Sequence, residues 1–274
     1  MARPWIEFVQ SQWLPWETGR LPHAHPDAEV RTLSVDDEDG SCSLLVRYER
    51  AATLRGTRSL AADEEFLVLS GELTLGEVRY PGMSYAYLPA GRAADGLAAA
   101  AGTVLLVFYS RAPLAGAERP VDPARVIERV NAFEVPYTGN FHPEFPAGAG
   151  RKWLRNDPVT GEQSWLLGTL PLRWAERAEL HPVIEEMYLI AGEVHGNRGV
   201  MRPGAYFWRP AAQAHGPYGS MTGSLYFFRT KGGSLKTQYV DTGRPFRWWP
   251  EYDPVLPEGL RAMADSPPSG ARCW

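Results

Sequence analysis

The chain repeats itself at a spacing of 121 residues. Identical residues recur at this spacing through most of the sequence, including Glu7 and Glu128, Glu64 and Glu185, Gly71 and Gly192, and Pro89 and Pro210. Between Gly71 and Pro89 the register slips by one residue and then recovers, as insertions compensated in loops allow. Because self-similarity at a fixed period constrains the architecture before any local pattern does, we expect two copies of one structural unit.

Short apolar runs bounded by glycine or proline fill both copies. The first contains SLLVRY, EFLVLSGELTL and TVLLVFYS, and the second contains SWLLGTL, MYLIAGEV and SLYFFRT. Runs rich in β-branched and aromatic residues predict strands, and 27 glycines and 24 prolines suit turns better than long helices. We therefore predict an all-β protein in which each copy forms an antiparallel barrel or sandwich of about eight or more strands.

A proline-rich stretch, RAPLAGAERPVDPAR, separates the two copies. The predicted domains are residues 1–120, residues 121–247 and a C-terminal arm at residues 248–274. Edge strands and this arm also make a homodimer an expectation.

The charge and hydropathy of the chain exclude several classes of partner. A formal net charge of −4 offers no basic surface to neutralise phosphates, so nucleic acid is not an expected partner. No apolar run approaches the roughly 20 residues that span a bilayer, and MARPWIEFVQSQ lacks the basic and apolar regions of a signal peptide. We expect a cytoplasmic protein with no membrane partner, acting on a small molecule.

Two stretches of the second copy carry candidate metal ligands. AELHPVIEEMYLIAG, residues 178–192, resembles the first cupin motif, with Glu179 where a histidine is usual, and PGAYFWRPAAQAH, which ends at His215, resembles the second. RPWIEFVQSQWLPW, DEEFLVLSGEL and YAYLPAG also resemble a poorly characterised family of bacterial bicupins. The resemblance implies two tandem cupin barrels, which are jelly-roll-like double-stranded β-helices. Cupins include dioxygenases, isomerases, decarboxylases, lyases and binding proteins, so the fold alone does not identify a reaction.

The resemblance and the strand pattern together predict a metal site in the second copy. Alternation puts His181 and Glu185 on one face of the chain while Glu186 points away, and His215 would reach them from the second motif. Two imidazoles and one carboxylate match the set that holds Fe(II) with open positions for substrate and oxygen. Fe(II) is therefore the expected cofactor, and Mn, Zn, Ni or Co would also suit.

The first copy lacks this set of ligands. The positions 121 residues before Glu179, His181 and His215 hold Arg58, Leu60 and Ala94. Glu64, the counterpart of Glu185, is expected to pair with a nearby cation such as an arginine. The first copy is therefore expected to be structural.

Glu179 has three interpretations. As a fourth ligand it would make an oxygen-rich site that favours Fe(II) or Mn. As a free carboxylate near the metal it could act as a general acid or base. As a residue at a strand edge it would form a weak surface ion pair with Arg177.

Large apolar residues of the second copy are expected to line a pocket around the metal. The candidates are Trp165, Trp174, Met187, Tyr206 and Trp208. Alternation places Tyr206 and Trp208 on one face of their strand and Phe207 on the other. A mostly apolar pocket would take an aromatic or aliphatic molecule. Guanidinium groups that could hold a substrate carboxylate or enolate, although most are expected at the surface, are those of Arg173, Arg177, Arg209 and Arg229.

Three other histidines are expected in loops or turns and not at a metal. His23 and His25 lie between two prolines without a following strand, which indicates a solvated loop, and His195 is expected at an exposed turn.

These expectations combine into a metal-dependent cupin enzyme that acts on a small, partly apolar, oxygenated molecule. A non-haem Fe(II)-type dioxygenase is the first hypothesis. A non-oxidative isomerase, lyase or cyclase at the same site is the second, and a non-catalytic small-molecule-binding bicupin is the third.

Overall fold

The computed structural model describes residues 3–21, 23–139, 145 and 147–264. Within these residues the protein is nearly all-β, with three short 3₁₀ helices at Ser11–Trp13, Pro123–Arg125 and Glu258–Met263. The all-β prediction is confirmed. None of the described helices is long and apolar enough to cross a membrane.

The strands are numbered in chain order. As far as residue 131 they are β1 (Ile6–Gln10), β2 (Glu17–Thr18), β3 (Glu29–Val35), β4 (Cys42–Tyr48), β5 (Ala52–Ser59), β6 (Glu64–Ser70), β7 (Glu72–Leu75), β8 (Val78–Pro81), β9 (Ser84–Leu88), β10 (Ala93–Ala99), β11 (Thr103–Tyr109) and β12 (Ile127–Asn131). The later strands are β13 (Ala149–Asn156), β14 (Gln163–Thr169), β15 (Arg173–Trp174), β16 (Ala178–Leu180), β17 (Ile184–Gly192), β18 (Val194–Gly196), β19 (Gly199–Met201), β20 (Ala205–Arg209), β21 (Gly219–Ser220), β22 (Ser224–Lys231) and β23 (Gln238–Val240).

The described residues divide into two compact units. The first unit contains residue 3 and residues 14–134, and the second contains residues 4–13 together with the described part of residues 135–264. These limits differ from the predicted domains, because residues 4–13 group with the second unit and the linker as far as residue 134 groups with the first. Residues 265–274 of the predicted arm lie outside the described residues.

Each unit is built from antiparallel sheets. In the first unit, one sheet has the order β12-β9-β6-β11-β4-β3-β2 and the other the order β5-β10-β7-β8. In the second unit, the largest sheet has the order β1-β20-β17-β22-β14-β13, and smaller sheets are formed by β15-β21-β18-β19 and by β16-β23. That the units are two tandem cupin barrels related by a repeat stays a prediction. The equivalent orders of the strands in the two largest sheets support it.

The strands form where the sequence supplies apolar runs. All residues of β11, TVLLVFY, are buried, and so are all five residues of β20. Gly71 directly follows β6 and has a φ of 75°. Gly192 is the last residue of β17 and has a φ of 77°. A side chain at Gly192 would collide with the carbonyl oxygen of Gly223, and one at Gly71 would collide with Thr103. These two glycines are therefore required both for the left-handed turn and for close backbone approach.

Two edge strands occupy equivalent places in the repeat but belong to different units. β1 pairs with β20 in the second unit, and β12, which lies 121 residues later, pairs with β9 in the first. Each copy of this strand thus completes a sheet of the unit formed mainly by the other half of the sequence.

This exchange predicts a crossed effect of two matched substitutions. Val9 in β1 is fully buried and its counterpart Val130 in β12 is half-buried. Val9→Asp buries an unpaired carboxylate in β1 and should weaken the pairing of β1 with β20. Amide hydrogen exchange in β20 should therefore become about tenfold faster or more. Val130→Asp should instead speed exchange in β9. Faster exchange in β9 caused by Val9→Asp would contradict the assignment of the strands.

Candidate metal centre

Backbone pairing places Glu179 opposite His215. The amide of Glu179 donates to the carbonyl of His215 at 2.9 Å, and the amide of His215 donates to the carbonyl of Glu179 at 2.9 Å. Directly opposed residues of an antiparallel pair project to the same face. Glu179 also belongs to β16, which pairs with β23, so both neighbours of this short strand fix its position.

Two backbone carbonyls orient the candidate imidazoles. His181 Nδ1 lies 3.1 Å from the carbonyl oxygen of Lys236, and His215 Nδ1 lies 2.9 Å from that of Gln213. A carbonyl only accepts, so each Nδ1 donates to it, and Nε2 is the ring nitrogen that is left to face the carboxylates. Both rings are almost fully buried, and their centroids lie 5.0 Å apart. This is the arrangement in which histidine ligands of metals are usually held.

Two carboxylates approach the same Nε2 atoms. Glu185 Oε1 lies 3.6 Å from His181 Nε2, Glu185 Oε2 lies 3.6 Å from His215 Nε2, and Glu179 Oε1 lies 3.7 Å from His215 Nε2. Ligand atoms of Glu179, His181 and His215 all lie within 4.8 Å of one another. Two ligands bonded at about 2.1 Å to one metal and 90–110° apart are about 3.0–3.4 Å from each other. The donor set therefore fits a divalent transition metal after small side-chain adjustments.

A buried guanidinium group holds Glu185 from behind. Arg209 Nη1 donates to Glu185 Oε2, while Arg209 Nε donates to Glu7 Oε2 at 2.7 Å and Nη2 donates to Glu7 Oε1. Tyr218 accepts a hydrogen bond from Arg209 Nη2 at 2.9 Å and donates to Glu7 at 3.1 Å. The sequence did not identify Glu7 as part of the site, and it gave Arg209 as one of four groups that could hold a substrate carboxylate or enolate, most of them expected at the surface. In the structure, Arg209 lies directly opposite Glu185 in the pairing of β20 with β17.

The charged groups of this network shift one another's pKa values. Burial by itself raises the pKa of Glu179, but interactions with His215 and then the charges of His181 and Arg209 outweigh it and lower that pKa to about 2. Burial likewise raises the pKa of Glu7, and the charge and hydrogen bonds of Arg209 reverse this and lower it. Both groups are therefore carboxylates at neutral pH.

A cavity of about 80 Å3 opens beside the candidate ligands. Its wall includes Trp165 and Met187, as the sequence analysis expected, together with Phe207 and Phe228. Glu179 also lines it, with 22% of its side chain exposed, which places it at the cavity rather than at an outer strand edge. Arg177, its expected surface partner, instead donates to the carbonyl of Tyr239.

Three of the expected lining residues lie elsewhere. Trp174 is 50% exposed, and neither Tyr206 nor Trp208 is part of the cavity wall. Tyr206 and Trp208 share one face of β20, as predicted, but this face does not line the cavity. The residues of β20 that belong to the cavity wall are Phe207 and Arg209. Tyr206 faces the other way and donates from its hydroxyl to Glu186, which also pairs with Arg229 at 3.0 Å.

The first unit has an ion pair at the corresponding position. Arg58 Nη1 and Nη2 each donate at 2.9 Å to one carboxylate oxygen of Glu64. Tyr109 donates to Glu64 at 3.0 Å, and its oxygen lies 2.9 Å from His23 Nε2. Among the described residues, a cluster of candidate metal ligands is found only in the second unit.

Two of the three histidines expected in exposed loops or turns are instead packed against other groups. His23 is not in a solvated loop, because its Nδ1 contacts the carbonyl of Pro113 and burial lowers its pKa to about 4. His195 is fully buried, with Nδ1 against the carbonyl of Trp248 and Nε2 3.1 Å from Glu193.

Residues 8–237 match the family described as "Domain of unknown function (DUF4437)". The chain belongs to this family. No curated protein sequence matches this DUF4437 chain.

Solved structures share its fold. A candidate dioxygenase from Nostoc punctiforme PCC 73102 superposes with a TM-score of 0.78 and 20% identity, covering 88% of this chain and 92% of that one. A variant of oxalate decarboxylase from Bacillus subtilis superposes with a TM-score of 0.59 and 12% identity, covering 85% of this chain and 79% of that one. At these identities the likeness shows the fold, which is that of the cupins.

The ion pair of the first unit yields a stability prediction. Arg58→Met should lower the free energy of unfolding by about 3 kcal/mol, because it leaves the carboxylate of Glu64, of which only 10% is exposed, buried without its cation. The measurement is chemical denaturation followed by circular dichroism. The matched control is Arg79→Met, which removes an exposed pair with Glu72 and should change stability little. Equal effects of the two substitutions would contradict a structural role for the buried pair.

Proposed function

We propose that this protein is a metal-dependent enzyme with one divalent metal in the second unit, acting on a small, partly apolar, oxygenated molecule. The observation that carries the proposal is the convergence of two Nε2 atoms and two carboxylates beside a cavity. His181, His215 and Glu179 would hold the metal, and Glu185 would serve as a further ligand through the carboxylate that Arg209 fixes. A bound divalent metal would supply Lewis-acid polarisation of a substrate oxygen, and Fe(II) would add redox chemistry with dioxygen.

The residues of the chain provide the setting for this chemistry. Arg209 prevents Glu185 from rotating away, because its guanidinium is itself held by Glu7 and Tyr218. Trp165 and Phe228 stack with centroids 5.4 Å apart and give the cavity an apolar wall that excludes water from the substrate. Glu179 lies at the cavity surface, where it is available either to the metal or to a proton of the substrate.

A dioxygenase with Fe(II) is the preferred form of the proposal. It is supported by the two-histidine, carboxylate donor set and by the shared fold of the Nostoc candidate dioxygenase. A lyase, isomerase or cyclase is the second candidate, supported by the fold shared with Bacillus subtilis oxalate decarboxylase, a protein with Mn(II) centres. A non-catalytic binding protein is the third candidate.

Metal content separates the enzyme proposals from the binding protein. Full-length protein, purified without chelators and supplied with Fe, Mn, Ni and Zn, should retain about one equivalent of metal per chain, because three or more preoriented ligands bind without a folding cost. His215→Ala should lower this to less than about 0.2 equivalents, with circular dichroism unchanged. His25→Ala, which removes a loop histidine of the first unit, is the matched control and should retain the metal. Retention by His215→Ala would place the metal elsewhere.

Oxygen consumption distinguishes the two enzyme proposals. Iron-loaded protein supplied with diketone or enol substrates should consume dioxygen in step with substrate loss, measured with an oxygen electrode and by chromatography. Product formation at the same rate without dioxygen would exclude the dioxygenase and favour the lyase, isomerase or cyclase.

A further inference from the structure

Part of the C-terminal arm runs along the outer edge of β1. Residues 248–257, called the arm segment, lie between β23 and the last 3₁₀ helix. Within them, the amide of Val255 donates to the carbonyl of Glu7 at 2.7 Å, and the amide of Glu7 donates to the carbonyl of Val255 at 2.8 Å. β1 is the last strand of its sheet and has β20 on its other side. The arm segment therefore covers an edge that the sheet itself leaves open.

The pairing of β1 with β20 is interrupted at the same place. Glu7 and Val9 lie opposite consecutive residues of β20, so Phe8 is an extra residue without a partner there. A bulge of this kind disrupts the hydrogen-bond ladder locally. The arm segment supplies a bond instead, because the hydroxyl of Tyr252 donates to the carbonyl of Phe8 at 2.8 Å. It thus holds the backbone of β1 where the pairing with β20 is interrupted.

The side chain of Glu7 connects this edge to the candidate metal centre. Only 3% of Glu7 is exposed, and its two carboxylate oxygens accept hydrogen bonds from Nε and Nη2 of Arg209. The third nitrogen of the same guanidinium, Nη1, donates to Glu185. A guanidinium group is planar and rigid, so a shift of Glu7 moves the nitrogen that binds Glu185. A displaced β1 would therefore displace a candidate metal ligand.

Other contacts give the arm segment a defined place on the second unit. Nδ1 of His195 in β18 contacts the carbonyl of Trp248 at the start of the segment. Further along, the amide of Asp253 donates to the carbonyl of Arg198 at 3.1 Å, and Nη1 of Arg198 donates to the carboxylate of Asp253 at 2.7 Å. Leu256 is buried, with 8% of the residue exposed. The segment is therefore anchored on both sides of the residue that pairs with Glu7.

From these contacts we infer that the arm segment positions Glu185 for metal binding, acting through Glu7 and Arg209. Val255 is the positioning residue, because both of its backbone groups bond to Glu7. No residue of the arm segment belongs to the cavity wall, so the segment acts on the geometry of the centre without supplying a ligand. This inference rests on the proposed metal-dependent function and extends it to a part of the chain outside the cavity.

The first measurement needs no metal. Val255→Pro removes the amide that donates to Glu7 and leaves the carbonyl in place. In the NMR spectrum of isotope-labelled, metal-free, full-length protein, the Nε–H of Arg209 should exchange with solvent about tenfold faster in this variant. Glu251→Pro is the matched control and should leave the rate unchanged, because residue 251 also follows a proline and its amide bonds to no described residue. An unchanged rate in Val255→Pro would overturn the inference.

Cobalt(II) then reports on the ligands themselves, because its visible absorption depends on the number and geometry of the ligands. Val255→Pro should bind Co(II) about tenfold more weakly than the wild type, as when a ligand loses its supporting partner. Its absorption spectrum at saturating Co(II) should also differ from that of the wild type. Glu251→Pro should match the wild type in both. Wild-type affinity and spectrum in Val255→Pro would contradict the inference.

A double-mutant cycle separates positioning from general stabilisation. Glu7→Gln keeps the shape of the side chain and removes the charge that holds Arg209. Val255→Pro should weaken Co(II) binding much less in the Glu7→Gln background than in the wild type, because both changes act on one chain of contacts. Equal losses in the two backgrounds would overturn the route through Glu7. Circular dichroism checks folding, and Tyr252→Phe, which removes the bond to Phe8, takes the place of Val255→Pro if that variant is unfolded.

The two kinds of measurement keep this inference separate from the proposed function. Wild-type protein that binds no Co(II) or other metal contradicts the proposed function, and the exchange rate of Arg209 still decides whether the arm segment holds the network. Protein that binds Co(II) equally well with and without the amide of residue 255 retains the proposed function and loses the positioning role of the arm segment.

Discussion

The second unit depends on one buried cation, the guanidinium group of Arg209. It contacts Glu7 on β1 and Glu185 on β17 while belonging to β20, so one group joins three neighbouring strands of a sheet. Removing one member of such a group leaves another charge buried without compensation, which costs far more than losing an exposed ion pair. The same contacts set the position of Glu185 at the candidate metal centre. The integrity of the sheet and the geometry of the site are therefore one constraint.

The two units solve the same electrostatic problem differently. Each has a buried glutamate at the start of a central strand, Glu64 in β6 and Glu185 in β17. In the first unit the neutralising cation is Arg58, which occupies the sequence position that Glu179 has in the second. A guanidinium group thus fills the first site permanently, whereas the second presents a carboxylate and two imidazoles to its cavity. This reversal of charge, together with Leu60 and Ala94 at the positions of the two imidazoles, separates the structural ion pair from the candidate metal centre.

The sequence predicted the strands and motif positions better than the inward faces. Periodicity and the spacing of the motifs brought His181, Glu185 and His215 into one neighbourhood, and the pairing of Glu64 with an arginine was also expected. The face of β20 was not predictable, because all five of its residues are buried and alternation alone does not say which set faces the cavity. Pairing decides it, since Met187 lies opposite Phe207 and Glu185 opposite Arg209. The repeat related β1 to β12, but sequence similarity carries no information about which sheet an edge strand joins.

The carboxylate of Glu179 is understandable from the charges that surround it. An imidazole at this position would remove one negative charge from a cavity wall that contains the guanidinium groups of Arg151, Arg173 and Arg209. Glu179 brings a negative charge to this wall, and its reciprocal backbone bonds with His215 hold it beside the other candidate metal ligands. In this wall the carboxylate of Glu179 and the guanidinium groups stabilise each other, because each reduces the cost of burying the other's charge.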